Sequence, residues 1–189
     1  ANDYVLVANS SSLSVGGGDF TISAWIYPHS VSGKRGIVTK VKDTMDKEYA
    51  LSIENGALSL EVENAANDGR EATGPVVQAN VWQHVLVVFD SATRNARFYL
   101  DGQLQTVISD SINALPRYFN DSVCIGRWGG SYNSSYFDGL LDEVRIYNCA
   151  LGPKTASPAD LNGDRKVDVS DLARVCDEWM KDARNRLPK

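Results

Sequence analysis

The sequence predicts an all-β fold, either a sandwich or a barrel. Short segments in which apolar and polar residues alternate recur through the first 150 residues, and polar or glycine-rich stretches separate them. Alternation with a period of two indicates β-strands, because successive side chains of a strand point to opposite faces. No apolar pattern with a helical period occurs before residue 170. Many short strands with turn signals between them are typical of sandwiches and barrels.

The first clear strand is FTISAWIY, residues 20–27, in which both faces carry bulky side chains. Bulk on both faces predicts a central strand. In YALSIENGALSLEVE, the pair Asn55-Gly56 separates two alternating runs and predicts a hairpin, because both turn residues need a positive φ. The pair Asp101-Gly102 marks another turn. Four further strands are predicted in VWQHVLVVFD, ARFYLDGQ, SVCIG and LDEVRIYN.

Length and charge limit the classes of protein to which the chain can belong. Its 189 residues are enough for one domain with a core and a small appendage. The net charge is −5, whereas proteins that bind nucleic acid or an anionic membrane usually carry an excess of basic residues. No apolar run approaches the roughly 18 residues that span a bilayer. The chain begins at Ala1 without a signal peptide, so we expect a piece of a longer protein.

Four segments carry a family resemblance: FTISAWIYP, WQHVLVVFDSATRNARFYLDGQ, IGR and FDGLLDEVRIYNCAL, in this order. They resemble the laminin-G-like and pentraxin-like jelly rolls of the concanavalin A-like lectin group, over residues 1–151. The resemblance implies a two-sheet antiparallel jelly-roll sandwich. It also implies that ligands are held by loops at a rim or by the concave face. Because one fold hosts many functions, it favours a binding role only by analogy.

A different pattern begins at residue 160, in DLNGDRKVDVSD. Oxygen-bearing side chains here have the spacing of a calcium-binding loop, in which the seventh position contributes a backbone carbonyl. The predicted metal ligands, from the first to the twelfth loop position, are Asp160, Asn162, Asp164, Lys166, Asp168 and Asp171. An apolar helical face follows the loop, and two prolines within residues 152–159 predict a linker rather than an entering helix. The alternative is an Asx-rich turn that caps the following helix.

The loop and its exiting helix, residues 160–189, resemble a single dockerin type I repeat, a half EF-hand found in extracellular bacterial polysaccharide-degrading systems. The resemblance implies Ca²⁺ as a cofactor, a secreted or cell-surface location and a cohesin-like protein partner. Two features depart from the dockerin pattern. The second repeat is missing, and Arg165 stands at the sixth loop position, where a sharp turn favours glycine. We therefore expect one calcium ion, held less tightly, and a helix docked on the sandwich.

The densest group of aromatic and hydrogen-bonding residues is RWGGSYNSSYFDG, residues 127–139. Aromatic rings stack on the C–H faces of sugars, while amide and charged groups bond their hydroxyls. The predicted ligand-binding residues are Arg127, Trp128, Tyr132, Asn133 and Tyr136. The alternative is that these aromatic side chains pack beneath a long loop.

The family resemblance also implies a second calcium site. Members of the group hold a structural ion with an aspartate at the start of the last strand, which Asp142 matches, and with the loop before FTISAW. Asp19 in that loop is the companion ligand, unless either residue is simply a solvated turn aspartate.

No catalytic constellation stands out in the sequence. The two histidines, His29 and His84, accompany no serine–histidine–aspartate pattern. Jelly-roll glycosidases need two carboxylates across the scissile bond. The nearest pair, Glu61 and Glu63, alternates with apolar residues as an ordinary solvated strand face does. We therefore predict that the protein is not an enzyme.

Three cysteines, an odd number, exclude complete internal pairing. The apolar neighbours of Cys124 predict a buried free thiol. Cys149 and Cys176 either form a bridge that ties the appendage to the sandwich or remain free thiols.

Together these patterns predict a non-catalytic, extracellular carbohydrate-binding module that is part of a larger protein. Its predicted domains are a jelly roll at 1–151, a linker at 152–159 and a calcium-binding dockerin-like repeat at 160–189. Two alternatives remain open: a protein–protein adhesion module of the same fold, and scaffold attachment through the repeat. We expect a glycan or polysaccharide ligand, no nucleic-acid binding and no membrane insertion.

Overall fold

A computed structural model describes residues 3–42, 46–64, 69–108, 116, 118–130 and 135–152. The chain divides into two units between Ala150 and Leu151. Apart from Leu151 and Gly152, every described residue belongs to the first unit. Within the described ranges, no helix has the length and apolar character needed to cross a membrane. The calcium loop predicted at residues 160–171 lies outside them.

The predicted all-β fold is confirmed, because the described residues form eleven strands in two antiparallel sheets. A short 3-10 helix, Ser11–Leu13, is the one helical element among them. In chain order the strands are β1 (Val5–Val7), β2 (Phe20–Pro28), β3 (Lys34–Val41), β4 (Lys47–Glu54), β5 (Ala57–Glu63), β6 (Gly69–Val76), β7 (Gln83–Asp90), β8 (Asn95–Leu100), β9 (Gln103–Ile108), β10 (Val123–Ile125) and β11 (Gly139–Tyr147). The six-stranded sheet has the order β1-β10-β3-β4-β5-β6, and the five-stranded sheet the order β11-β2-β7-β8-β9.

The core lies between the two sheets and follows the predicted alternation. In β2 the inward side chains, from Phe20 to Ile26 at every second position, are fully buried. β2 lies between β11 and β7, so the predicted central position of this strand is confirmed. The β4–β5 and β8–β9 hairpins turn at Asn55-Gly56 and Asp101-Gly102, all four residues having positive φ. Both predicted turns are therefore confirmed.

A buried ion pair ties two loops to the six-stranded sheet. The ammonium of Lys40 lies 2.7 Å from the Glu48 carboxylate, and both side chains are fully buried. The same carboxylate accepts hydrogen bonds from the backbone amides of Val15, Gly16 and Phe119. Moving a carboxylate from water into the protein interior costs on the order of several kcal/mol, even after the surrounding protein relaxes. A buried carboxylate therefore needs such partners. Glu48 thereby fixes the loops on either side of it.

The thiols agree in part with the prediction. Cys124 is buried and forms no disulfide, as predicted. Cys149 is an exposed thiol. Cys176 lies outside the described residues, so a bridge between it and Cys149 stays a prediction.

Candidate functional site

The edge strands of the two sheets, β1 and β11, border a pocket of about 420 Å³. We call it the edge pocket. Its lining includes Asp3 and Tyr4 next to β1, Phe137 before β11, and Asp142 and Glu143 in β11. The size lies in the lower part of the range for small-molecule sites, roughly 300–1,000 Å³. The pocket therefore combines an apolar wall with three carboxylates.

A β-bulge in β11 places its two carboxylates. Asp142 pairs with Trp25 and Arg145 with Ser23, so Glu143 and Val144 together face a single residue of β2. Glu143 has a φ of +50°, which a non-glycine residue rarely adopts, and its backbone amide donates to Asp142 Oδ1 at 2.7 Å. Its carboxylate forms an ion pair with Arg145. Bulges occur preferentially at sheet edges and beside functional sites, where they redirect side chains.

A second pocket, of about 300 Å³, lies on the outer face of the five-stranded sheet. Trp25, Trp82, Asp142 and Glu143 line it, and we call it the face pocket. The two tryptophans remain 41% and 42% exposed. The Trp82 ring packs against Tyr27 with the centroids 5.6 Å apart. The face pocket thus presents two indoles beside the carboxylates of the bulge.

The two pockets share the lining residues Asp142 and Glu143, and we treat them together as one candidate site, the bulge site. It wraps around the β11 edge, from the opening between the sheets to the outer face of one of them. Indole rings offer flat apolar surfaces, and carboxylates accept hydrogen bonds from hydroxyl groups. This is the chemistry that a polyhydroxylated ring with C–H faces requires.

The structure places Trp128, a predicted ligand-binding residue, in a packing position. The side chain is only 3% exposed and packs with Val41 and Ala50 against the six-stranded sheet. The Lys34 ammonium lies 4.1 Å from the ring centroid. With so little open surface, the indole offers no face on which a sugar can stack. Trp128 thus packs beneath the loop, as the alternative stated in the sequence analysis expects.

Arg127 and Tyr136 lie together beside the edge pocket. They form an isolated antiparallel bridge, and the Arg127 guanidinium lies 3.9 Å from the ring centroid of Tyr4. The Tyr4 and Tyr136 rings are 6.1 Å apart. Because Tyr4 lines the edge pocket, these residues support its wall rather than line it. Tyr132 and Asn133 lie outside the described residues.

The structure separates Asp19 from Asp142, so the predicted shared calcium site is wrong. Asp142 lies opposite Trp25, six residues along β2 from Asp19, which corresponds to about 20 Å at 3.3 Å per residue. Asp19 Oδ1 instead accepts hydrogen bonds from the amide and hydroxyl of Ser91. Calcium ligands lie about 2.3–2.6 Å from the ion. The two carboxylates therefore cannot hold one ion together.

The expectation that Glu61 and Glu63 form a solvated face is also wrong, since they are 7% and 1% exposed. The Glu61 carboxylate lies 2.6 Å from the Lys34 ammonium and 3.0 Å from that of Lys47. Burial by itself lowers the pKa of Lys34, but the hydrogen bonds and charges of Glu61 and Glu54 outweigh it and raise the pKa. Both oxygens of Glu61 are thus occupied by lysines.

Sequence reasoning missed the two exposed tryptophans. Trp25 occupies an outward position of β2, and Trp82 directly precedes β7. The sequence did contain one signal: Trp25 lies on the same strand face as Thr21 and Ser23, the more polar face of residues 20–27. A large apolar side chain on a face that meets water is a candidate for a binding role. What the sequence could not show is that β11 brings two carboxylates beside both rings.

Comparisons with known proteins identify the fold. A family model described as the concanavalin A-like lectin/glucanases superfamily matches residues 1–157. Among solved structures, a heptameric SAP-like pentraxin from Limulus polyphemus is 16% identical with a TM-score of 0.58, covering 86% of this chain and 83% of its own. A sialidase CBM40 of Ruminococcus gnavus bound to α2,3-sialyllactose is 15% identical with a TM-score of 0.60, covering 79% and 91%. The binding domain of botulinum neurotoxin DC in complex with rat synaptotagmin II is 14% identical with a TM-score of 0.59, covering 85% of this chain and 39% of that one. No curated protein matches the sequence.

Proposed function

The chain belongs to the concanavalin A-like lectin/glucanases superfamily, and on this premise we propose that it is a non-catalytic glycan-binding module whose ligand occupies the bulge site. The observation that carries the proposal is the exposure of Trp25 and Trp82 beside Asp142 and Glu143. The fold likeness to a carbohydrate-binding module that holds sialyllactose supports a glycan as the ligand, but it does not indicate which kind of glycan.

Sugar recognition gives the exposed indoles a physical reason. Keeping two indoles in water forgoes a stabilisation of roughly 25 cal/mol for every Å² of apolar surface left unburied. The carboxylates next to them supply acceptors for hydroxyl groups, which an apolar protein interface would leave without partners. Small-molecule sites commonly have an apolar wall with a small number of polar groups at fixed positions.

The proposal is tested by glycan binding of Trp25→Ala and Trp82→Ala, measured on a glycan array and then by calorimetry. Each variant should lose at least about tenfold in affinity, corresponding to 1.4 kcal/mol. Leu104→Ala is the matched control, because Leu104 is an exposed apolar residue of β9 on the same sheet and lines neither pocket. Unchanged affinity in both tryptophan variants would place the site elsewhere.

Protein–protein adhesion is a second candidate, and β1 favours it. This strand is the edge of the six-stranded sheet, and Val5 and Leu6 are largely exposed on it. An exposed apolar edge can accept a strand from another protein. Leu6→Lys, which charges the edge, should abolish binding to a protein partner and spare glycan binding. Glycan binding without any effect of this substitution on cell adhesion would argue against the second candidate.

We also propose that residues 160–171 bind one Ca²⁺ and that the protein is secreted or attached to a cell surface, where a cohesin-like partner could recognise the repeat. The support is the spacing of the oxygen ligands in the sequence. Asp164→Ala should weaken calcium binding measured by calorimetry. Lys166→Ala is the matched control, since its position contributes a backbone carbonyl that alanine retains. Equal calcium affinity of the two variants would refute the loop assignment.

A further inference from the structure

We infer that the bulge site has two subsites, binds uncharged glycans of at least two sugar units and rejects acidic ones. The inference rests on the proposed function and adds the charge and the length of the glycan. It follows from the arrangement of the two pockets and from the charges that line them.

The arrangement of the pockets sets the length of the ligand. The edge pocket and the face pocket have volumes of about 420 and 300 Å³ and meet at Asp142 and Glu143. The face pocket is at the lower limit for a small-molecule site and the edge pocket lies in the lower part of that range, so a chain of several sugar units must occupy both. Trp25 and Trp82 offer ring faces in one pocket, and Tyr4 does so in the other. A ligand that fills both must pass over the bulge between them.

The lining charges set the chemistry of the ligand. Asp3, Asp142 and Glu143 line the site, while no lysine or arginine of the described residues does. Arg145 pairs with Glu143, and the Arg127 guanidinium lies over Tyr4, outside both linings.

Asp142 carries most of this selectivity. Among the described residues it has no basic partner, and its Oδ1 accepts a hydrogen bond from the amide of Glu143. A carboxylated or sulfated sugar would bring a like charge next to Asp142 without a counter-charge, which strongly disfavours association. Hydroxyl groups, by contrast, donate to carboxylates. The site is therefore built for neutral sugars.

The first experiment tests charge selection. An immobilised panel pairs each neutral oligosaccharide with its sialylated or uronate counterpart, and the affinity ratio is measured for each pair. The wild type should bind the neutral member at least about tenfold more tightly. Asp142→Asn keeps the Oδ1 acceptor but removes the charge, and it should reduce the ratio several-fold. Asp3→Asn should act in the same direction and serves if the first variant folds poorly.

Asp101→Asn is the matched control, because Asp101 is an exposed carboxylate in the β8–β9 turn, outside both pockets. It changes the net charge equally and should leave the ratio unchanged. Equal or tighter binding of acidic members by the wild type overturns the inference. So does a ratio that responds to Asp101→Asn as much as to Asp142→Asn.

The second experiment tests the two subsites. Affinity for the wild type should rise at least about tenfold from a monosaccharide to the matching disaccharide, and Tyr4→Ala should remove that gain. Equal affinity for both lengths overturns the two-subsite arrangement while leaving the proposed function intact. Absence of binding to every panel member instead contradicts the proposed function, and this inference with it.

Discussion

Replacing Trp128 with alanine is expected to destabilise the domain and to leave glycan affinity unchanged. The indole is 3% exposed. A buried tryptophan removes roughly 150–250 Å² from water, worth about 4–6 kcal/mol at about 25 cal/mol per Å². Allowing for a partly compact unfolded state reduces this to about 3–5 kcal/mol, which is also the usual range for Trp→Ala in cores. The cation–π contact with Lys34, at 4.1 Å, disappears as well.

The assay pairs urea unfolding with calorimetric glycan binding, and it compares Trp128→Ala with Trp82→Ala. Trp82 is 42% exposed, so Trp82→Ala should lower the free energy of unfolding much less than Trp128→Ala does. Because Trp82 lines the face pocket, the same substitution should remove most of the glycan affinity. The two tryptophans should thus give opposite results in the two measurements. If folded Trp128→Ala loses glycan affinity while its free energy of unfolding stays within about 1 kcal/mol of wild type, Trp128 is a binding residue and our reading of its burial is refuted.

Three further predictions concern the scaffold. Lys40→Met leaves the buried Glu48 carboxylate without its cation and should cost about 3–5 kcal/mol in urea unfolding, whereas Lys42→Met, at a more exposed pair, should cost less than about 1 kcal/mol. Gly36→Ala should loosen the loop after β10, visible as faster hydrogen exchange, because a Cβ would lie 2.3 Å from the nearest loop amide. Burial and the charge of Arg145 lower the pKa of His84, and the opposing charge of Asp101 does not cancel their effect. Because the folded state disfavours the charged imidazole, the free energy of unfolding should fall as the pH drops below about 6.5, the ordinary pKa of histidine. His84→Asn should flatten that pH dependence.

Most of the fold could be predicted because its signals are local. The alternation in FTISAWIY and the positive φ required at Asn55-Gly56 depend on the residues themselves, and the structure shows both. The pairing of β1 with β10 depends on contacts between residues more than 100 positions apart. Local patterns do not encode such pairings, so neither this edge nor the pocket it borders could be derived from the sequence alone.

The candidate site was predicted only in part, for a related reason. The sequence analysis selected Trp128 because several aromatic residues lie close together in its loop. The number of aromatic residues in a loop does not reveal which of their rings face inward. Burial decides that, and it depends on the six-stranded sheet beneath the loop. The family resemblance indicated Asp142 as a calcium ligand, not as a glycan-binding residue, although it lines the bulge site. Its partners Trp25 and Trp82 come from β2 and the segment before β7, and only the register of the sheet brings them together.

The conformation of Glu143 gives a final prediction about why the bulge is kept. A non-glycine residue at a φ of +50° is strained, by roughly 1–2 kcal/mol for a left-handed backbone. Glu143→Gly and Glu143→Ala both remove the carboxylate and its ion pair with Arg145, so they differ mainly in this strain. The glycine variant should therefore be more stable than the alanine variant by about 1 kcal/mol, after the entropic cost of glycine. Both should bind glycan more weakly than wild type, because the strained backbone holds a carboxylate where the two pockets meet. An alanine variant as stable as the glycine variant would show that the bulge costs nothing, and that packing alone maintains it.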